Sequence, residues 1–110
     1  MSGEINLVPG TLDMMVMKAV SQEPRHGFGV ARWIEGVTRD RLTVEEGALY
    51  PALHRMEKRG WVSSDWGRTE HGRRARYYRL TAAGKKELAR LAARWSDSAW
   101  AVDEVLGAEG

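Results

Sequence analysis

Among the side chains between positions 50 and 74 whose types can bind anions are Tyr50, His54, Arg55, Lys58, Arg68, Arg73 and Arg74, with Gly72 beside the arginine pair. Guanidinium and ammonium groups neutralise phosphates, and phenol and imidazole donate to phosphate or base edges, so this set suits polyanion recognition. Catalysis finds no comparable set. His26, His54 and His71 lack metal-ligand spacing, no cysteine nucleophile exists, and no carboxylate pair is set against a base. No catalytic residue, no metal site and no cofactor is therefore expected. Gly27 and Gly29 form a G-x-G without the third glycine, and it follows a helix rather than a strand, so a dinucleotide loop is not expected. Close backbone packing is the reading of these two glycines.

The charge is concentrated. From His54 to Arg79 there are eight basic and three acidic residues, a net of +5 in a chain whose total is only +2. Such concentration is the electrostatic footprint of a polyanion partner. At 110 residues, 43% hydrophobic and 29% charged, the chain supports one globular domain. Without cysteine there is no disulfide framework. No apolar run approaches the ~20 residues a bilayer span needs, and the opening MSGEINLVPG has no signal-peptide pattern. A cytoplasmic location with no membrane partner is the expectation.

The elements that must position these residues read clearly. Leu12, Met15, Val16, Ala19 and Val20 make the stripe of a first helix over Thr11 to Ser21, and Met14 and Met17 widen its apolar surface toward a second side. A second helix, about Gly27 to Thr38, has Val30, Trp33, Ile34 and Val37 as its buried stripe and Arg32, Glu35 and Arg39 facing water. Thr43 and Glu46 stand as a capping box, which starts a third helix at about Val44 and runs it to Arg59. Its apolar face is Ala48, Leu49, Ala52, Leu53 and Met56; Tyr50, His54, Arg55 and Lys58 lie on another face. Pro51 removes one hydrogen bond and crowds Gly47, so a bend is expected there, with Gly60 as the C-terminal cap.

Trp61 to Trp66 and Ala75 to Leu80 alternate as two strands. The intervening GRTEHGRR is far longer than a tight turn requires, and its arginines are there to touch something. Thr81 caps a last helix to about Leu106, whose seam of Leu88, Ala92, Trp95, Ala99, Val102 and Leu106 has heptad spacing and seeks another helix. The expected fold is mainly α with a small β-hairpin, a winged helix-turn-helix plus a long C-terminal dimerisation helix. Residues 1–80 form the reading part, with 1–10 as an N-terminal arm, and 81–110 the dimerisation helix of the same compact unit.

The segments HGFGV (26–30), GALYPALHRMEKRGW (47–61), WG (66–67) and GRRARYYRLTAAG (72–84) closely resemble the PadR family of bacterial transcriptional regulators. The likeness runs from about Leu7 to Leu106, and the single C-terminal helix resembles the short subfamily. That resemblance implies a homodimer on a partly palindromic double-stranded DNA operator, usually repressing, and often released by a small planar aromatic or cationic effector. In drug-binding members a tryptophan of the last helix stacks the ligand at the dimer centre. Trp95 matches that tryptophan, and Asp13, Met14, Met17 and Lys18 match the first-helix residues around it.

Two alternatives stay open on the residues alone. Tyr50 either meets DNA or packs on the wing, and Trp95 either floors a ligand site or only seals the dimer interface. At the level of function, the alternatives are a winged-helix module that binds protein and a DNA binder without ligand response.

Overall fold

In the computed structural model, residues 10–109 are described; the expected arm at 1–10 lies, apart from Gly10, outside them. Thr11–Ser21 is α1, Arg25–His26 is β1, and Gly27–Val37 is α2. They are followed by α3 (Glu46–Lys58), β2 (Val62–Arg68), β3 (Arg74–Leu80) and α4 (Ala82–Gly107). The chain is mainly helical with a small antiparallel sheet of order β1-β3-β2.

The core forms where the stripes converge. Val16, Met17, Ala19 and Val20 of α1, Val30 and Ile34 of α2, and Leu49, Ala52, Leu53 and Met56 of α3 are buried together with Val62 and Tyr78. Three stripe positions depart from expectation. Ala48 and Val37 are exposed, and Met17 is wholly buried rather than on a second, partner-facing side. The core between α2 and α3 is closed instead by Leu42 and Val44 of their connecting loop.

That loop also explains why α3 starts later than the capping-box spacing suggests. The Val44 N–H donates to the Glu35 carboxylate at 3.0 Å, and Val44 itself is buried. Glu45, itself extended, is the N-cap, with no side-chain cap bond, and Thr43 is not one. Glu35, expected in water, is thus a structural acceptor. The helix then runs unbroken through Pro51. It ends on Gly60 at φ +78, whose N–H donates to Glu57 O while Trp61 N–H donates to Met56 O. This is the left-handed stop that glycine makes cheap.

The hairpin is longer than the alternation implied. Val62 opposes Leu80 and the pairing continues to Arg68 opposite Arg74, so Gly67, Arg68 and Arg74 belong to the ladder and only residues 69–73 turn. A third strand, β1, pairs with β3 through Arg25–Tyr78 and His26–Tyr77.

Thr81 caps α4: its hydroxyl oxygen accepts from Gly84 N–H at 3.0 Å and its hydroxyl donates to Gly60 O at 2.6 Å. At ~1.5 Å per residue, the 26 residues of α4 extend ~39 Å. The radius of gyration, 15.7 Å, exceeds the ~13 Å of a compact chain this long, and the longest dimension is 59 Å. The helix projects.

Candidate nucleic-acid interface

The buried face of α3 turns its opposite face outward, where Tyr50, Pro51, His54 and Lys58 are exposed. Tyr50, His54 and Lys58 follow one another at spacings of four, and Pro51 stands three before His54, so these positions share one side. Tyr50 is aimed by a glycine. A Cβ on Gly27 would lie 2.6 Å from the Tyr50 hydroxyl oxygen, so the phenol lies directly against the first turn of α2. This close approach is the expected role of Gly27. It also means that Tyr50 packs on α2 while remaining 40% exposed.

Arg55 is turned elsewhere. Its Nη2 meets Asp13 Oδ1 of α1 at 2.5 Å, and that hydrogen bond holds the guanidinium pKa above its ordinary value. The residue expected to read DNA is thereby joined to one expected at the effector wall. Arg55 holds α3 to α1.

At the wing, Gly72 N–H donates to Thr69 O at 2.8 Å, and Thr69 N–H donates to Arg73 O at 2.8 Å. The Thr69 hydroxyl accepts from Arg73 N–H at 3.2 Å, and Gly72 takes φ +80. Arg68 Nη1 donates to the Gly72 carbonyl at 2.9 Å, so this arginine is spent on the turn's geometry. The result is a fixed tip carrying exposed Arg73 and Arg74.

Paired residues across a ladder share a face. One face of the wing carries Ser63, Asp65, Tyr77 and Arg79, with Arg79 bound to Asp65 at 3.3 Å and the Tyr77 hydroxyl donating to Arg68 O at 2.9 Å. The other carries Val62, Ser64, Trp66, Arg74, Arg76 and Tyr78. Tyr78 is buried, and that burial, followed by the nearby Glu57 carboxylate, pushes its pKa up. This face looks across a groove of about 820 Å³ whose opposite wall includes His26, Phe28 and Tyr50. Trp66, Phe28, His26 and Arg76 line this groove, and the sequence patterns did not single them out. Trp66 read only as the end of a strand, yet it is 57% exposed. His26 read only as a histidine without metal partners, whereas it caps α2 by accepting from Gly29 N–H at 3.0 Å.

The second expected site is only partly assembled within one chain. Met17 is in the core and Asp13 is held by Arg55, which leaves half-buried Met14, exposed Lys18 and half-exposed Trp95. Along the α4 seam, Leu88 packs on the core and Ala99 is half-buried; Ala92, Val102 and Leu106 are exposed. Among the described residues no His, Asp and Glu cluster could hold a metal. No helix among them is long and apolar enough to cross a membrane.

Three antiparallel strands, a helix-turn-helix with one outward face, and a basic tip define a winged helix-turn-helix. Residues 16–90 match the transcriptional regulator PadR-like family, and the chain belongs to that family. A Lysinibacillus sphaericus protein is 26% identical over 92 residues, 84% of each chain. A transcriptional regulator of Mycobacterium tuberculosis is 40% identical over 57 residues, about half of each (51% and 52%). The solved PadR-like transcriptional regulator of Bacillus cereus superposes with a TM-score of 0.77 at 25% identity, over 91% of this chain and 95% of that one. The protein is a transcriptional regulator, and members of its family bind DNA and typically dimerise.

Proposed function

We propose that this regulator works as a homodimeric repressor on a partly palindromic DNA operator. The α3 face of Tyr50, His54 and Lys58 enters the major groove, while Gly72, Arg73 and Arg74 place the wing tip on the flanking backbone or minor groove. The observation that carries this reading is the wing tip. Two arginines with no carboxylate partner among the described residues are held on a hydrogen-bonded turn beside an exposed helix face. Arg55 and Arg68 contribute by fixing α3 and the turn, and reach phosphates only if those bonds open.

Dimerisation is supported by α4. Trp95, Val102 and Leu106 fall at heptad spacing, are 50%, 55% and 78% exposed, and belong to a helix that outreaches its own domain. A large apolar seam left in water is an association surface. Pairing through it sets the two α3 helices one duplex turn apart.

A planar aromatic or cationic effector fits the cleft that pairing would create around Trp95, with Met14 and Lys18 beside it. Aromatic faces stack well on such guests. Quenching of tryptophan emission by a planar cation, lost in Trp95→Phe, tests this; equal quenching in the variant removes Trp95 from the site.

The main test is a salt titration of binding to selected duplex fragments. A dimer neutralising about 6–8 phosphates gives a log–log slope near −5 to −7. A slope near zero favours a winged-helix module that binds protein.

A further inference from the structure

A continuous series of contacts runs from the last turn of α3 onto the wing. Ser64 Oγ donates to Glu57 Oε2 at 2.6 Å, and Arg76 Nε donates to Ser64 Oγ at 3.1 Å. The Arg76 guanidinium carbon lies 5.2 Å from the centroid of the Trp66 ring, and that of Arg74 lies 4.3 Å from it. Trp66 opposes Arg76 in the ladder, and Trp66, Arg74 and Arg76 stand on the groove face of the hairpin.

Packing does not account for Trp66. It is more than half exposed and lies beyond Val62 and Tyr78, where the core ends. Two like-charged arginines two residues apart on one strand face repel each other, and each long side chain samples many rotamers in water. An indole in contact with both offsets these effects. Its electron-rich ring attracts each cation, and contact confines each guanidinium while leaving its in-plane N–H donors free. On the opposite face Arg79 is matched by Asp65, whereas Arg74 and Arg76 have no carboxylate within ion-pair distance among the described residues.

We propose that Trp66 is a positioning residue that holds Arg74 and Arg76 as a two-guanidinium clamp for the DNA backbone. The Glu57–Ser64–Arg76 bonds fix that clamp relative to α3. The proposal rests on the DNA-binding reading above and adds three residues to it: Trp66, Arg76 and Ser64. Wing and reading helix then meet the duplex as one preorganised surface, and less side-chain freedom is lost on binding.

Binding of a selected duplex by the full chain, titrated with salt for wild type, Trp66→Ala, Trp66→Phe and Arg76→Ala, tests this. Releasing two arginines in each protomer of a dimer, four in all, weakens binding about 30-fold even at the lower end of the typical cost per freed side chain. Trp66→Ala should show that loss with the salt slope unchanged, because the same phosphates are still met, and Trp66→Phe should recover most of it. Arg76→Ala should instead flatten the slope by about 1.8 for two lost phosphate contacts. Trp66→Ala within twofold of wild type, or a loss that Trp66→Phe does not recover, overturns the clamp. An unchanged slope in Arg76→Ala does so too, and that arm stands even where Trp66→Ala does not fold. A wild type that binds no duplex overturns the DNA-binding reading itself.

Discussion

Gly84 is the third residue of α4, and replacing it with alanine sets two rules against each other. Intrinsic propensity favours alanine in a helix by about 1 kcal/mol. The structure says the opposite, because a Cβ there would lie 2.0 Å from the Trp61 carbonyl oxygen and 2.6 Å from Leu80 Cδ1. Ordinary contact begins near 3.4 Å, so α4 must retreat by about 1.4 Å. The carbonyl cannot retreat in its place, since it accepts from Thr81 N–H at 3.0 Å. A retreat of that size by α4 with its cap stretches the Thr81 N–H bond to Trp61 O and the Thr81 hydroxyl bonds to Gly60 O and Trp61 O beyond useful length. At about 1 kcal/mol each, their loss outweighs the propensity gain and leaves a net destabilisation of about 2 kcal/mol. Urea unfolding at fixed protomer concentration should show the midpoint falling by about 1 M with unchanged slope. A variant as stable as wild type, or more so, would refute the claim that glycine is needed for this approach.

Three further outcomes are expected. Val102→Glu with Leu106→Glu places charges on the exposed α4 seam and should yield monomers by sedimentation at micromolar concentration with the domain folded; persistent dimers would place the interface elsewhere. Gly27→Ala pushes the Tyr50 ring, a side chain that can swing away, so stability should change by less than about 1 kcal/mol while duplex affinity falls about tenfold; an unchanged affinity would remove Tyr50 from the reading face. Tyr78 has a raised pKa through burial, so its neutral form is favoured by folding. Below the unfolded-state value near 10 that contribution is intact; as pH rises further the unfolded chain loses the proton first and stability falls. The urea midpoint should therefore drop above about pH 10 less steeply in Tyr78→Phe than in wild type, and equal slopes would contradict this.

The helices were legible because each presents several apolar residues at one period, and a stripe survives small errors at its edges. The Gly60 stop and the Thr81 cap were legible because each rests on contacts within a few residues. What escaped depended on distant partners. Strand β1 has only two residues, too few to alternate, and it exists because β3 lies some fifty positions away in the chain. The Thr43–Glu46 pattern has the spacing of a capping box, but Glu35 claims the Val44 N–H first. Arg55 faces the reading side by spacing alone, and only the fold brings Asp13 against it. Trp66 escaped because hydropathy reports what a side chain prefers, whereas exposure depends on whether the core reaches that far along the hairpin.

The same long-range contacts thin out the basic excess, and what remains indicates its purpose. Of the eight basic residues between His54 and Arg79, Arg55 is bound to Asp13, Arg79 to Asp65, and Arg68 to the Gly72 carbonyl. Arg59 lies over the Trp61 ring at 5.2 Å, back against the domain. Lys58 on α3 and Arg73, Arg74 and Arg76 on the wing are left without acidic partners among the described residues. A folded domain gains nothing from keeping three unpaired arginines within four residues of one hairpin, since like charges on one strand repel. Four cations per protomer make eight in a dimer, the upper end of the phosphate count that the salt slope measures. A segment whose other cations are engaged within the domain, and whose remainder clusters at the reading helix and wing, fits a regularly spaced polyanion better than a protein surface of mixed charge.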